Sequence, residues 1–348
     1  MSSDEKSFRT RPSTLAQLSS ESIHKLLDLQ YGDAVTDLLP GIFLKPLGDL
    51  IHRPSKKIRG RLVELGFGLS ENRGDKKFLK EYRFLIEVLE CLHAGSLAVD
   101  DVQDGSQMRR GEPALHIKYG VPTALAVGNW LYFWPLELIQ QLSLPAEQEL
   151  KIYRLYHRTL LRAHFGQALD VGVPIDTLPQ NRVHDACMAT LELKSGAIFS
   201  LALQMGAIVG GSADGMFAAI NKFGHGLGVG LQMFDDLGNI KGAVDPGKRW
   251  EDLILRRPTW IWACAAKYYS EDIYKDFVLA VHQLPHDFHP LETWFEQHAF
   301  LKKSKALAHE HLKKCFNDFE KAVAPFQISS EVSAQLRDLG MEISRSYE

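Results

Sequence analysis

From Leu79 the chain reads LKEYRFLIEVLECLHAGSLAVDDV, and Phe84, Leu85, Val88, Leu92 and Ser96 recur within it at steps of three and four residues. That period brings one face of an α-helix toward a core. Similar patterns run over Pro122–Leu142, Glu147–Leu169, Arg182–Gly210 and Ala213–Ile240. Strand signals are nearly absent: there is no regular β-branched alternation and no Asn-Gly turn between apolar runs. Clusters such as SLPAEQ, GVPIDTLPQN and VDPGKR punctuate the helical stretches. The fold class this predicts is all-α, a single large helical bundle.

No convincing linker, low-complexity tract or short repeat interrupts the pattern. Residues 1–18 are therefore expected to form a flexible N-terminal segment and residues 19–348 one all-helical domain. A chain of 348 residues is long enough to bury a sizeable core. Its net charge of -3 is too small to point to nucleic acid. The four cysteines, Cys91, Cys187, Cys264 and Cys315, fit no zinc spacing and read as reduced core thiols. The polar start MSSDEKSFRTRPSTLAQLSS has no apolar signal region, and no apolar run approaches the roughly 20 residues of a membrane span. The expected location is the cytoplasm. Leu301–Ala322 reads as an amphipathic capping helix with a solvated basic face.

The chemistry is concentrated in two acidic turns. Asp100 and Asp104 stand at i and i+4, on one helix face about a turn apart, with Asp101 to the side. Neighbouring carboxylates repel unless water, arginine or a metal neutralises them. One such turn by itself reads more readily as a solvated helix end. Asp235, Asp236 and Asn239 repeat the spacing after another long apolar helix, and facing helices would make them an oxygen-lined mouth over an apolar cavity. Magnesium suits such oxygens and commonly bridges carboxylates to phosphates. Arg109 and Arg110 follow the first turn and Lys248 the second, so acids, metal and bases together predict a diphosphate ligand.

At these residues the chain resembles the trans-isoprenyl diphosphate synthase, or polyprenyl synthetase, family, from about residue 50 to about residue 262. SKKIRG is similar to the family's early basic motif. ECLHAGSLAVDDVQDGSQMRRG and LQMFDDLGN resemble its two aspartate-rich motifs, and GQALDVG, LELKSGAIF and GKRWEDLILRRPTW resemble three further segments. The resemblance implies an all-α isoprenoid synthase fold with a central active-site cavity. It implies that Asp100, Asp104 and Asp235 bind magnesium, about three ions with the diphosphate present, supported by Asp101, Asp236 and Asn239. It also implies that Lys56, Arg59, His93 and Arg110 hold isopentenyl diphosphate. Arg109, Lys194, Ser195, Gln232, Lys248 and Arg257 would hold the allylic diphosphate. Gly95 and Ser96 would form the floor that limits chain length.

The departures are Pro54-Ser55 for a glycine pair, Val99 for a common histidine, Asn129 and Asn239 for aspartates, and Trp250 for a glycine. The implied reaction is condensation of an allylic diphosphate with isopentenyl diphosphate, the departing diphosphate taking the proton. The small Gly95 and Ser96 favour a product of geranylgeranyl length, against the bulk of Phe84, Trp130, Tyr132, Phe133 and Trp134. A homodimer is implied, with no nucleic-acid partner and no transmembrane segment. A class I terpene cyclase, an irregular prenyl coupling enzyme and a non-catalytic synthase subunit remain as alternatives on the same fold.

Overall fold

The structure, a computed structural model, describes residues 32–53, 58–71, 76–172, 174–241, 249–326 and 328–345. The expected flexible segment 1–18, Pro54, Ser55, Lys56 and Lys248 lie outside the described residues. In chain order come α1 (Gly32–Leu39), α2 (Lys45–Ile51), α3 (Ile58–Gly68) and α4 (Lys76–Asp104). A hairpin follows, β1 (Met108–Arg109) with β2 (Glu112–Pro113), and then α5 (Leu115–Tyr119), α6 (Val121–Gln140) and α7 (Ala146–Gly172). The rest is α8 (Gln180–Leu191), α9 (Ala197–Val209), α10 (Asp214–Lys241), α11 (Glu251–Ile254), α12 (Trp260–Tyr268), α13 (Glu271–Val281), α14 (His289–Gln297), α15 (Phe300–Val323) and α16 (Ser330–Arg345). The fold is all-α, as the periodicity predicts; among the described residues the one sheet is this hairpin.

The chain divides into two compact units, Met1–Gly60 with Arg83–Leu144 and Arg61–Tyr82 with Pro145–Glu348. In the first, the apolar face of α4 buries Leu85, Val88, Leu89 and Leu92, and α6 buries Val127, Leu131, Leu138 and Ile139. Each such side chain contributes about 1.5–3 kcal/mol of transfer free energy. The two helices approach closely at a pair of glycines. A Cβ on Gly95 would stand 2.7 Å from the Gly128 carbonyl oxygen and from Leu131 Cβ, so only hydrogen fits there.

In the second unit α10 is the central helix, packed on α9 and α15 through Ile220, Phe223, Leu227, Met233 and Phe234. The Arg182–Gly210 pattern is broken here into α8, a π-helical turn Glu192–Gly196 and α9. That turn touches α10: a Cβ on Gly228 would lie 2.4 Å from the Ser195 oxygen and 2.8 Å from Gly196 Cα. Gln180–Val209 is long and apolar enough to cross a membrane by length and composition, yet every residue of α9 except Ile198 is buried in the protein. It behaves as a core helix. The predicted Leu301–Ala322 helix forms as α15, burying Ala308, Leu312 and Phe319 and exposing Lys302, Lys303, Lys313 and Lys314.

Trp250, a departure noted in the sequence, has φ 69°, the left-handed region that favours glycine. Its indole is buried and stacks on Phe295 with ring centroids 5.8 Å apart. Left-handed strain at such a residue is about 1–2 kcal/mol, whereas truncating a buried tryptophan costs about 3–5 kcal/mol. Packing therefore outweighs strain. Trp250→Gly is expected to lower unfolding stability by about 2–3 kcal/mol in chemical denaturation, and a stabilised variant would reverse that ranking.

Candidate active site

In the first unit α4 ends at Asp104 because Gly105, with φ 67°, leaves the helix, and the Ser106 amide closes it on the Asp101 oxygen at 3.0 Å. Asp100, Asp101 and Asp104 thus occupy the helix C-terminus, where about half a unit of negative charge already stands and further anions are disfavoured. Asp101 is committed inward. It is buried and accepts both oxygens' worth of hydrogen bonds from Arg109 Nε, at 2.9 and 3.1 Å, as well as an ion pair from the guanidinium terminus. Asp100 and Asp104 remain partly exposed. Tyr132 on α6 lies near Asp100; burial first, and that negative charge second, push its hydroxyl pKa up and keep it protonated.

Arg109 and Arg110 are presented by the hairpin. Arg109 pairs with Glu112, and Arg110 and Gly111 form the two-residue loop with φ 56° and 81°. Positive φ at both loop positions is the type I′ requirement. His93 stands near this cluster. Burial, then the positive charges of Arg59, Arg110 and Arg109, push its imidazole well below the usual histidine range, so it is neutral. The structure therefore brings Arg59, His93, Arg109 and Arg110 together with the first acidic turn. A neutral imidazole among guanidiniums serves a phosphate oxygen as a hydrogen-bond donor, not as a charge.

In the second unit the π-helical turn carries Lys194 and Ser195, an irregularity that recurs at functional sites. Lys194 Nζ pairs with Asp170 Oδ2 at 2.5 Å, and Arg257 donates to the Asp170 backbone oxygen at 3.2 Å. Ser195 donates to Gln232 Oε1 at 2.6 Å, and Gln232 Nε2 donates to Asp236 Oδ1 at 2.9 Å. Asp236 also accepts the Trp260 amide at 2.6 Å, capping the start of α12 from another helix. Burial pushes its carboxyl up to about 7, against the hydrogen bonds from Gln232 and Trp260 that lower it. Asp236 is accordingly a buried anchor, while Asp235 and Asn239 remain partly exposed. Asp252 is pushed up as well, by burial and then by the charges of Asp236, Asp235 and Asp170.

The donor set suits magnesium: hard carboxylate oxygens concentrated where the helix field and neighbouring acids call for positive charge. Among the described residues no three His, Cys, Asp or Glu side chains form a ready-made metal cage.

Residues 40–283 match the sequence profile of the polyprenyl synthetase family. The chain belongs to that family. It is 30% identical over 201 residues to a geranylgeranyl pyrophosphate synthase of Eremothecium gossypii, covering 56% of this chain and 60% of that protein. It is 31% identical over 153 residues to a geranylgeranyl diphosphate synthase of Sulfolobus acidocaldarius, covering 43% of this chain and 45% of that one. The matches thus span 60% and 45% of these two relatives' length. In fold it is similar to the geranylgeranyl pyrophosphate synthetase of Pyrococcus horikoshii, with TM-score 0.72, 21% identity and 96% of each chain covered. A geranylgeranyl pyrophosphate synthase from Corynebacterium glutamicum, solved with isoprenyl diphosphate and magnesium, gives TM-score 0.76 at 20% identity over 95% of this chain and 96% of that one. The isoprenoid synthase fold expected of a polyprenyl synthetase is the fold observed.

The sequence patterns point neither to Asp49 nor to Arg53, give Asp170 no role, and place Tyr132 only as bulk against the growing chain, not beside Asp100. GQALDVG contains Asp170, so that one signal was available. The others depend on partners far away in the chain. Because His93 is neutral when folded, its native state binds a proton less readily than the unfolded chain, and stability falls as pH drops below about 6.5. The His93 ring carbon shifts in NMR are expected to be those of neutral imidazole at pH 6; a protonated ring there would contradict the buried, arginine-flanked environment.

Proposed function

We propose that this polyprenyl synthetase is a magnesium-dependent trans-prenyltransferase that joins an allylic diphosphate head-to-tail to isopentenyl diphosphate, giving a product of geranylgeranyl length. The observation that carries the reading is the first unit's arrangement of Arg59, neutral His93, Arg109 and Arg110 beside a helix end bearing Asp100 and Asp104. A diphosphate is the ligand such an alternation of cation-seeking acids and anion-seeking guanidiniums suits. The relatives' names, and the magnesium and isoprenyl diphosphate of the Corynebacterium protein, support the same choice.

Magnesium, when bound by Asp100, Asp104 and Asp235, supplies Lewis-acid stabilisation to the departing diphosphate. Arg109 and Lys194 hold that group by charge-assisted hydrogen bonds, strongest where charge develops in the transition state, and Lys248 joins them in this reading. Lys56, Arg59, His93 and Arg110 hold isopentenyl diphosphate with its double bond toward the allylic carbon. The proton lost from the adduct goes to the departed diphosphate, so no side chain need act as base. Ser195 and Gln232 keep their hydrogen bond to each other and through Asp236 tie the allylic side to α12.

Product length rests less on Gly95 than its size suggests, since its contact with Gly128 and Leu131 already explains the glycine. Ser96 and the relatives' names carry that part. A homodimer belongs to the same reading; in support, α7 leaves Leu161 and Phe165, one turn apart, 61% and 62% exposed. A cytoplasmic location is supported by four free thiols, three of them buried.

Incubation with magnesium, isopentenyl diphosphate and each allylic diphosphate in turn is expected to yield an elongated diphosphate. Hydrocarbon formed from the allylic substrate alone would assign a cyclase instead, and no turnover would assign a subunit. Asp100→Ala and Asp235→Ala are each expected to cut kcat at least ~100-fold with an unchanged circular dichroism spectrum; retained activity removes that residue from the metal site. Lys56→Ala is expected chiefly to raise the KM for isopentenyl diphosphate, and an unaltered KM would exclude its assignment.

A further inference from the structure

The Arg109–Arg110 hairpin is strained and needs holding. Arginine at φ 56° is a left-handed residue without glycine's freedom, a conformation that costs about 1–2 kcal/mol and persists only when its surroundings enforce it. Those surroundings centre on Arg53, at the end of the turn after α2. Its side chain is 4% exposed and Asp49, one turn earlier, grips it through Nε at 3.2 Å and through a terminal nitrogen at 3.0 Å.

The remaining Arg53 donors go to the hairpin backbone, to the Arg109 oxygen at 3.1 Å and the Pro113 oxygen at 2.9 Å. They thus span both strands. Arg110 returns a bond from its guanidinium to the Arg53 oxygen at 3.4 Å. Asp49 is itself fixed by Lys118 Nζ at 2.5 Å and the Tyr119 hydroxyl at 3.0 Å, from α5 just beyond the hairpin. Burial raises the Asp49 carboxyl, but the bonds from Lys118, Arg53 and Tyr119 prevail and hold it below its ordinary value. It is therefore charged, and a planar guanidinium is the side chain that can bridge it to two carbonyls at once.

We propose that Arg53, oriented by Asp49, is a positioning residue that locks the hairpin and so sets where Arg109 and Arg110 meet a substrate diphosphate. This rests on the prenyltransferase reading for the identity of the ligand, not for the geometry. Among the described residues, all four hydrogen bonds of the Arg53 side chain go to Asp49 and to the hairpin backbone. It acts through two backbone carbonyls.

The test is a double-mutant cycle read in kcat/KM for isopentenyl diphosphate. Arg53→Gln is expected to lower it about tenfold or more, the scale of losing hydrogen bonds from a charged donor. Arg53→Lys, which keeps the charge but not the fork, is expected to recover part of that loss. In an Arg110→Gln background the added Arg53→Gln change is expected to cost less than about threefold, because its route of action is already partly removed. An equal factor in both backgrounds, or an unchanged value in Arg53→Gln, overturns the proposal. Should Arg53→Gln fail to fold, Asp49→Asn carries the same cycle with Arg53 retained. Calorimetric titration with inorganic pyrophosphate and magnesium separates the two readings. Binding weakened by Arg53→Gln in a protein that turns over no allylic substrate sustains the positioning role while the prenyltransferase reading fails. Equal binding in both proteins overturns the role, and so does the absence of binding in the unaltered protein.

Discussion

Acidic side chains at the C-terminal end of a helix stand in a field that is already negative, and the first acidic turn, at the end of α4, is built against that constraint. The α4 terminus carries Asp100, Asp101 and Asp104, and late in α10 come Asp235 and Asp236. In each group one carboxylate is taken into the protein. Asp101 is paired with Arg109, and Asp236 is buried under the Trp260 amide and Gln232. The partly exposed acids are then oriented by helices whose ends are pinned. Charge imbalance is what makes the two turns suited to a divalent cation, and the pinning keeps their geometry from relaxing away from it.

Three of the backbone irregularities lie at or close in the chain to candidate site residues, while the left-handed Ala299 and the π-helical turn Pro40–Leu44 do not. Arg110 is left-handed at the tip of the hairpin, Trp250 is left-handed shortly after the second acidic turn, and Lys194 and Ser195 sit in a π-helical turn. Each is unfavourable locally and each is held by contacts that outweigh it: Arg53 and its carbonyl bonds, the Phe295 stack, and the Gly228 approach. Strain stored this way tends to accompany function. Here it presents side chains at angles that regular helix geometry does not provide.

Helical periodicity, acid spacing and basic runs were legible because they are properties of short stretches. Asp100 and Asp104 share a face by virtue of 3.6 residues per turn, whatever else the chain does. The two-residue hairpin at Arg110 was not legible, since Arg-Gly lacks the Asn-Gly signature and the strands on either side of it are bridged by Arg53 from a distant part of the chain. Nor was the difference between Asp235 and Asp236, adjacent residues of one type, of which burial makes one an anchor. Gly95 shows the opposite case. Its smallness was visible, but the reason for it, the Gly128 and Leu131 contact, lay on another helix.

The order of residues alone therefore determined an all-helical chain, two acidic turns and the basic residues following them, because helix period and charge spacing act over a few positions. Tertiary structure decided which acid is paired, which histidine loses its charge and which arginine holds the others in place. Those outcomes depend on burial and on partners such as Asp49 and Lys118 or Asp236 and Trp260, brought within hydrogen-bond reach only once distant segments have packed. Desolvation and short-range hydrogen bonding fall off within a few ångströms, so no local reading of the chain can rank them.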